Sequence, residues 1–174
     1  MENVQSEVRV RVNQMNLLTA NPCCFIVGLS SSSSTVTLQG ARLSVFTAYV
    51  DGGSHGSPGP SGIGVVIEKP DGGLVRIAKW IGHQDNNVAE YAALLEALQQ
   101  ALEMKATALQ VFTDSQLVVK QMTGEYHCRS PRLYSLNWTC RKLARSLKFA
   151  ISHIPRHRNQ EANRLANQAA RQQA

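Results

Sequence analysis

The stretch from Thr47 to Ile67, TAYVDGGSHGSPGPSGIGVVI, constrains this chain more than any other. An apolar strand ends on one acid, Asp51. Glycines follow at Gly52, Gly53, Gly56, Gly59, Gly62 and Gly64, interrupted by Pro58 and Pro60, and a second apolar strand leads away. A carboxylate at a strand end, beside backbone without Cβ atoms, suits a metal ion and a bulky ligand that approaches the main chain closely. Taken alone, the stretch reads equally as a hairpin with an ornate loop. The weight shifts further along the chain, because Glu90, Asp114 and Asn163 each stand where a fold can return them to Asp51.

From Leu43 the pattern is regular. Leu43–Asp51, Gly62–Lys69 and Leu74–Ile81 read as strands, the last two joined by the turn signal Lys69-Pro70-Asp71-Gly72-Gly73, which predicts an antiparallel meander. Over Asn87–Met104 the period changes: Tyr91, Leu94, Leu95, Leu98 and Leu102 recur at helical spacing, giving an amphipathic helix with one buried face. Ala108–Thr113 is a short apolar run of the kind found in buried parallel strands. Helices follow over Ser115–Met122, ended by Gly124, and over Pro131–Ser146, then a strand over Lys148–Ile154 and an Ala-rich helix over Asn159–Arg171. This order implies an α/β fold, a mixed five-stranded sheet with helices on both faces. Residues 43–174 form the expected domain. Residues 1–42, with a five-serine run at Ser30–Ser34, read as an N-terminal appendage carrying no assignable motif.

The net charge of +6 is unevenly placed. Residues 44–114 hold four bases and eight acids, and residues 115–174 hold eleven bases and two acids. An acidic middle beside a basic end suggests a cation-binding centre next to a surface for a polyanion, although solvated charged faces produce part of such a pattern unaided. The exposed face of the Pro131–Ser146 helix carries Arg141, Lys142 and Arg145. No run approaches the roughly 18 apolar residues of a membrane span. The N-terminus mixes acids with bases, unlike a signal peptide. Cys23, Cys24, Cys128 and Cys140 form no CxxC pair, which fits a reduced cytoplasmic protein.

Each acid has a plain structural reading. Asn87-x-x-Glu90 resembles a helix capping box, and Asp114 or Ser115 could cap the helix that follows. Asn163 could be one polar residue on an exposed helix. Their joint occurrence in this strand–helix–strand order is what those readings leave unexplained. YVDGGSHGSPGPSGIG, NNVAEYAALLEAL, VFTDSQLVV and HIPRHRNQEANRLAN stand in the order of the type 1 ribonucleases H, and from about Leu43 onward the chain resembles that family.

The resemblance implies a ribonuclease H-like fold and the endonucleolytic hydrolysis of the RNA strand of RNA–DNA hybrids, leaving 5′-phosphate and 3′-hydroxyl ends. It implies two ions, Mg²⁺ or Mn²⁺, held with substrate by Asp51, Glu90, Asp114 and the residue at 163. There the family places Asp in ADxLA, and this chain reads Asn163-Arg-Leu-Ala. It also implies substrate contacts from Gly52, Gly53, Ser57, Asn86, Asn87, Ser115 and Gln116, with Arg156 and Arg158 meeting phosphates. A family histidine precedes the last helix; His157 is the candidate, with His153 and Arg156 as competitors. The chain is expected to act as a monomer on the hybrid. Two other readings remain open: a hybrid-binding protein whose catalysis failed with the loss of the fourth acid, and another nuclease or transposase of the same fold. The order of the acids, with Glu on the first helix, argues against the last.

Overall fold

The structure, a computed structural model, describes residues 45–172. The expected appendage of residues 1–42 lies outside them. Strands β1 (Val45–Ser54), β2 (Gly59–Glu68) and β3 (Leu74–Gln84) form the antiparallel meander. Helix α1 (Asn86–Glu103), β4 (Ala108–Thr113), α2 (Gln116–Thr123), α3 (Pro131–Ala144), β5 (Lys148–His153), a one-turn 3-10 helix (Arg156–Arg158) and α4 (Gln160–Arg171) complete the domain. The sheet order is β3-β2-β1-β4-β5, with β4 parallel to both β1 and β5. The mixed five-stranded sheet predicted from the sequence is therefore the one observed. Among the described residues, no helix is long and apolar enough to cross a membrane.

Two sequence boundaries need correction. Asp51 does not end its strand, because β1 runs on to Ser54, pairing Gly53 with Gly62 and Ser54 with Ser61. Likewise β2 begins at Gly59, and its register against β3 shifts between Pro60 and Gly62, where proline has no N–H to give the ladder. Pairing to β4, however, stops at Tyr49↔Phe112. Asp51 and Asp114 therefore sit two residues beyond the last parallel pair on their respective strands. Adjacent acids just beyond the end of the parallel pairing are a direct consequence of this register.

Alternation along the strands separates two layers. Ile63, Val65 and Ile67 of β2 join a core with Tyr91, Leu94 and Leu98 of α1, Val118 and Met122 of α2, and Leu133 and Cys140 of α3. The expected α1 stripe is buried at Tyr91, Leu94 and Leu98 and half-buried at Leu95 and Leu102. A buried polar bridge ties three helices together: Asn137 Nδ2 donates to Tyr91 Oη at 2.9 Å, and Tyr91 Oη donates to Gln121 Oε1 at 2.7 Å. Gly124, at φ 90°, takes the left-handed conformation that ends α2 as expected.

The opposite face of β2 has no side chains at Gly62 and Gly64, and α4 lies directly on that bare backbone. A Cβ at Gly64 would overlap the Ala162 carbonyl, and one at Gly62 would come within 2.5 Å of the Ala166 carbonyl and the Ala170 nitrogen. The α4 side of this contact is mostly small, with Ala162, Ala166, Ala169 and Ala170 buried alongside one larger residue, Leu165. Neither partner can give way without backbone movement. Gly64→Ala should therefore destabilise the domain by about 1–3 kcal/mol or more, as overpacking does. Gly53→Ala, whose nearest new neighbour is Asn167 Oδ1 at 3.8 Å, should change stability by no more than about 0.5 kcal/mol. Urea denaturation of both variants checks this pair; equal effects would show that α4 is not held by close approach.

Candidate active site

The small-residue contact sets where α4 presents its polar face. Asn159, Asn163 and Asn167 are spaced four residues apart, so they line one side of the last helix and the residue before it. Asn159 is buried, and its Nδ2 donates to Val50 O and to Asp114 Oδ1, both at 2.9 Å. Asn163 Nδ2 donates to Asp51 Oδ2 at 2.9 Å. Asn167 Nδ2 donates to the Asn163 carbonyl at 2.9 Å and to Asn163 Oδ1 at 3.0 Å.

That last pair settles which way the Asn163 amide faces. The backbone carbonyl requires the Asn167 nitrogen, and the Asn167 nitrogen in turn requires the Asn163 oxygen. Asn163 is left to present its N–H₂ to Asp51 as a donor. For Asn163 to coordinate a cation through oxygen, as its place in the family pattern suggests, the amide has to turn over.

Glu90 arrives from the other face of the sheet. A Cβ at Gly52 would overlap the Ala89 carbonyl, so glycine there is what lets the first turn of α1 close on β1. Glu90 Oε1 accepts from Asn86 Nδ2 at 3.0 Å, and Oε2 accepts from Ser115 Oγ. Asn86 also takes the Ser54 N–H on its Oδ1, at 3.3 Å. The capping-box reading fails here. The helix starts one residue early, Asp85 at its N-cap makes no side-chain cap bond, and the Glu90 carboxylate is spent on Asn86 and Ser115. Ser115, for its part, caps α2 by accepting from Val118 N, so Asp114 has no capping role.

Asp51, Gly52, Gly53, Asn86, Glu90, Asp114, Asn163 and Arg156 thus line one polar cavity of about 200 Å³. Ser54 and Asn167, which sequence reasoning passed over, line it too. Asn159 was also passed over, although the four-residue Asn spacing in RNQEANRLANQ was a usable signal. Of the three candidates in the segment before α4, Arg156 reaches the cavity. His157 is exposed on the one-turn helix and His153 is exposed at the end of β5, and neither lines it. Arg158 lines a separate hollow with Glu68 and Glu161. Ser57, Asn87 and Gln116 are exposed outside the cavity, Ser57 donating to Asp85 Oδ1 at 3.4 Å.

The cavity is short of positive charge. Burial, then the charge of Asp114, pushes the Asp51 carboxyl up to about 7, against the pull of the Asn163 hydrogen bond and of Arg156. Burial also raises Glu90; the Ser115 and Asn86 hydrogen bonds oppose this, and the Asp114 charge adds to it. Among the described residues, no three His, Cys, Asp or Glu side chains form a closed metal cage. Asp51 and Asp114 sit together on one side, and Glu90 is drawn away by Ser115. Hard oxygens in small number, in a polar cavity with room for several waters, fit a divalent ion that keeps part of its water shell, as Mg²⁺ does.

Known proteins bear on this arrangement. The family model for reverse transcriptase-like proteins matches residues 49–169, which span every cavity residue. The ribonuclease HI of Halobacterium salinarum is 38% identical over 146 residues, covering 83% of this chain and 73% of that protein. The chain belongs to the ribonuclease HI family. It is a ribonuclease H enzyme with the family's fold. The crystal structure of RNase H1 from H. salinarum superposes with a TM-score of 0.69 at 39% identity, covering 72% of this chain and 96% of that one. The N-terminal RNase H domain of Rv2228c from Mycobacterium tuberculosis gives 0.68 at 38% identity, covering 72% and 98%. The full mycobacterial protein is longer, and the match spans 34% of it. LC11-RNase H1, isolated from compost and solved in complex with an RNA/DNA hybrid, gives 0.67 at 36% identity, covering 73% and 97%.

The raised Asp51 carboxyl has a thermodynamic consequence. It binds its proton more tightly folded than unfolded, so without metal the folded state loses stability as pH rises from about 4 to above 7. A divalent cation bound beside Asp51 would take the place of that proton. Mg²⁺ should therefore raise Tm more at pH 8 than at pH 5, and metal-free Asp51→Asn should be more stable than the parent at pH 8 but not at pH 4. Scanning calorimetry at these pH values is the measurement. An equal Mg²⁺ effect at pH 5 and pH 8 would place ion binding away from Asp51.

Proposed function

We propose that this ribonuclease H cuts the RNA strand of RNA–DNA hybrids endonucleolytically, using two divalent ions, Mg²⁺ or Mn²⁺, and leaving 5′-phosphate and 3′-hydroxyl ends. The observation that carries the reading is the juxtaposition of Asp51 and Asp114 just beyond the end of the β1–β4 pairing, with Glu90 lining the same cavity. Asp51, Glu90 and Asp114 would hold the ions, whose chemistry is to activate water and to stabilise the leaving oxygen. The remaining residues orient these acids. Asn159 fixes Asp114, Asn163 fixes Asp51, and Asn86 and Ser115 fix Glu90. Arg156 brings a permanent positive charge to the cavity, suited to a backbone phosphate. Gly53, whose Cβ position meets only Asn167 Oδ1 at 3.8 Å, leaves its part of the cavity wall free of a side chain, so the sugar-phosphate backbone of a hybrid can come close. Recognition of a hybrid over other nucleic acids rests on minor-groove shape and 2′-hydroxyls together. The enzyme is read as a cytoplasmic monomer, and the free thiols of Cys128 and Cys140 suit a reducing compartment.

One observation favours the alternative of a weakened, hybrid-binding protein: the Asn163 amide, held by Asn167, faces Asp51 as a donor and brings no negative charge. A missing unit charge near the ions is worth on the order of a few kcal/mol at an effective dielectric of about 20.

Two assays separate these readings. A labelled hybrid should be cut, while single-stranded RNA and duplex DNA should not; equal cleavage of single-stranded RNA would sink the substrate assignment. Asp51→Asn, Glu90→Gln and Asp114→Asn should each lower kcat by about a hundred- to a thousandfold, the loss typical of removing one electrostatic stabiliser. Asn163→Asp, assayed across a metal titration, should keep or raise activity and move the optimum to lower metal concentration. An active Asn163→Asp beside a parent that is silent even in Mn²⁺ would establish the binding-protein reading instead.

A further inference from the structure

Three of the six large apolar side chains exposed among the described residues, Tyr126, Tyr134 and Trp138, face one hollow of about 540 Å³. The hollow lies between the loop that follows α2 and the outer face of α3, and it shares no residue with the acid cavity. On α3, Tyr134 and Trp138 stand four residues apart, and Arg141, Lys142 and Arg145 continue the same stripe, all within about a third of the helix circumference at 3.6 residues per turn. Among the described residues, none of these three cations forms an ion pair with a carboxylate. Arg141 donates to the Gln121 carbonyl at 3.3 Å. Glu125, the nearest acid in sequence, accepts from Thr123 at 3.3 Å.

Tyr134 is exposed at 62% and Trp138 at 56%, beside cations that have no carboxylate partner among the described residues. Cations do approach two of the rings, with Lys142 Nζ 5.2 Å from the Trp138 centroid and Lys120 Nζ 4.7 Å from that of Tyr126. Tyr134 has no such cover among the described residues. Flat aromatic faces interleaved with cations are the arrangement that takes stacked bases and phosphates together. The bases of a duplex are already stacked on one another at about 3.4 Å and offer no free face. Tyr134 and Trp138 are separated by about 6 Å along the helix axis, too far apart to follow that stacking.

We propose that this hollow binds an unpaired nucleic-acid strand, its bases stacking on Tyr134 and Trp138 and its phosphates meeting Arg141, Lys142 and Arg145. The route from the acid cavity is short. At the other end of α3, Arg132 pairs with Asp85 at 2.8 Å, next to Asn86 on the cavity rim, and the ten residues from Arg132 to Lys142 span about 15 Å. A single-stranded tail leaving a duplex held at the cavity reaches the hollow along α3. The hollow's own affinity depends on neither metal nor cleavage.

The test is binding in EDTA, which separates it from any failure of the catalytic reading. The chain has two tryptophans, so Trp80→Phe leaves Trp138 as the only tryptophan fluorophore. Decamers of dT and of U, a blunt decamer RNA–DNA hybrid and a poly-glutamate of equal charge are titrated in turn. Both single strands should quench Trp138, and the hybrid and the polyanion should leave it bright; a difference between dT and U identifies the preferred strand. By anisotropy of labelled dT decamer, Trp138→Ala should weaken binding about tenfold or more, the size of one base–aromatic stack, and Trp138→Phe should retain most of it. Lys142→Gln and Arg145→Gln should each reduce the log–log salt slope by about 0.7. Trp138 is exposed, so its variants should fold as the parent does, and circular dichroism verifies it. Quenching by the blunt hybrid or by poly-glutamate equal to that by the single strands overturns the proposal, as does unchanged dT affinity in Trp138→Ala.

Discussion

The contact between α4 and the bare backbone of β2 underlies the rest of this structure. Gly62 and Gly64 on the strand, and Ala162, Ala166, Ala169 and Ala170 on the helix, keep side chains small where the two backbones meet, with Leu165 packed at the edge over Gly64. Backbone then meets backbone, and the helix has one seat rather than a range of them, because close-packed surfaces do not deform gradually. That seat places Asn163 against Asp51 and Asn159 against Asp114. A shift of one helical position would turn these amides away from the acids, and the cavity would lose one wall.

Electrostatics explains why the wall is made of amides. Two carboxylates side by side in a half-buried cavity repel each other and resist ionisation, as the Asp51 carboxyl shows by its rise to about 7. Each amide gives an acid a hydrogen-bond donor without a full charge, so it orders the carboxylate and leaves the net negative potential that attracts a cation. Glu90 is treated in the same way by Asn86 and Ser115. Arg156 is the one permanent cation lining the cavity. Asn163 follows the same pattern at Asp51, and Asn167 holds it there as a donor.

The basic end of the chain divides by position in the fold rather than by composition. Arg156 belongs to the acid cavity, Arg158 to a hollow with Glu68 and Glu161, Arg132 to an ion pair with Asp85, and Arg141, Lys142 and Arg145 to the aromatic hollow of α3. Charge counting along the sequence treats these six as one surface. The turns between α3, β5 and α4 distribute them over separate places, so they cannot all serve the same phosphates.

The sequence by itself determined the element order, the mixed sheet and the buried face of α1, and it singled out three acids that the fold brings to one cavity. The reason is that periodicity and glycine placement are local properties and are read directly from neighbouring residues. Bounds in the glycine-rich stretch were not legible, because whether β1 continues to Ser54 depends on whether β2 is there to pair with it. The four-residue spacing of Asn159, Asn163 and Asn167 was visible in the sequence, but the groups those amides meet are decided only once the helix is seated on a strand. Which of Arg156, His157 and His153 lines the cavity was also beyond reach, because it depends on how the end of β5 and the one-turn helix after it are set against the acids. Tertiary structure decided, finally, which atom of Asn163 the site receives. The residue type allows either an oxygen or a nitrogen, and only the partner Asn167, fixed by a backbone carbonyl one turn away, selects the nitrogen.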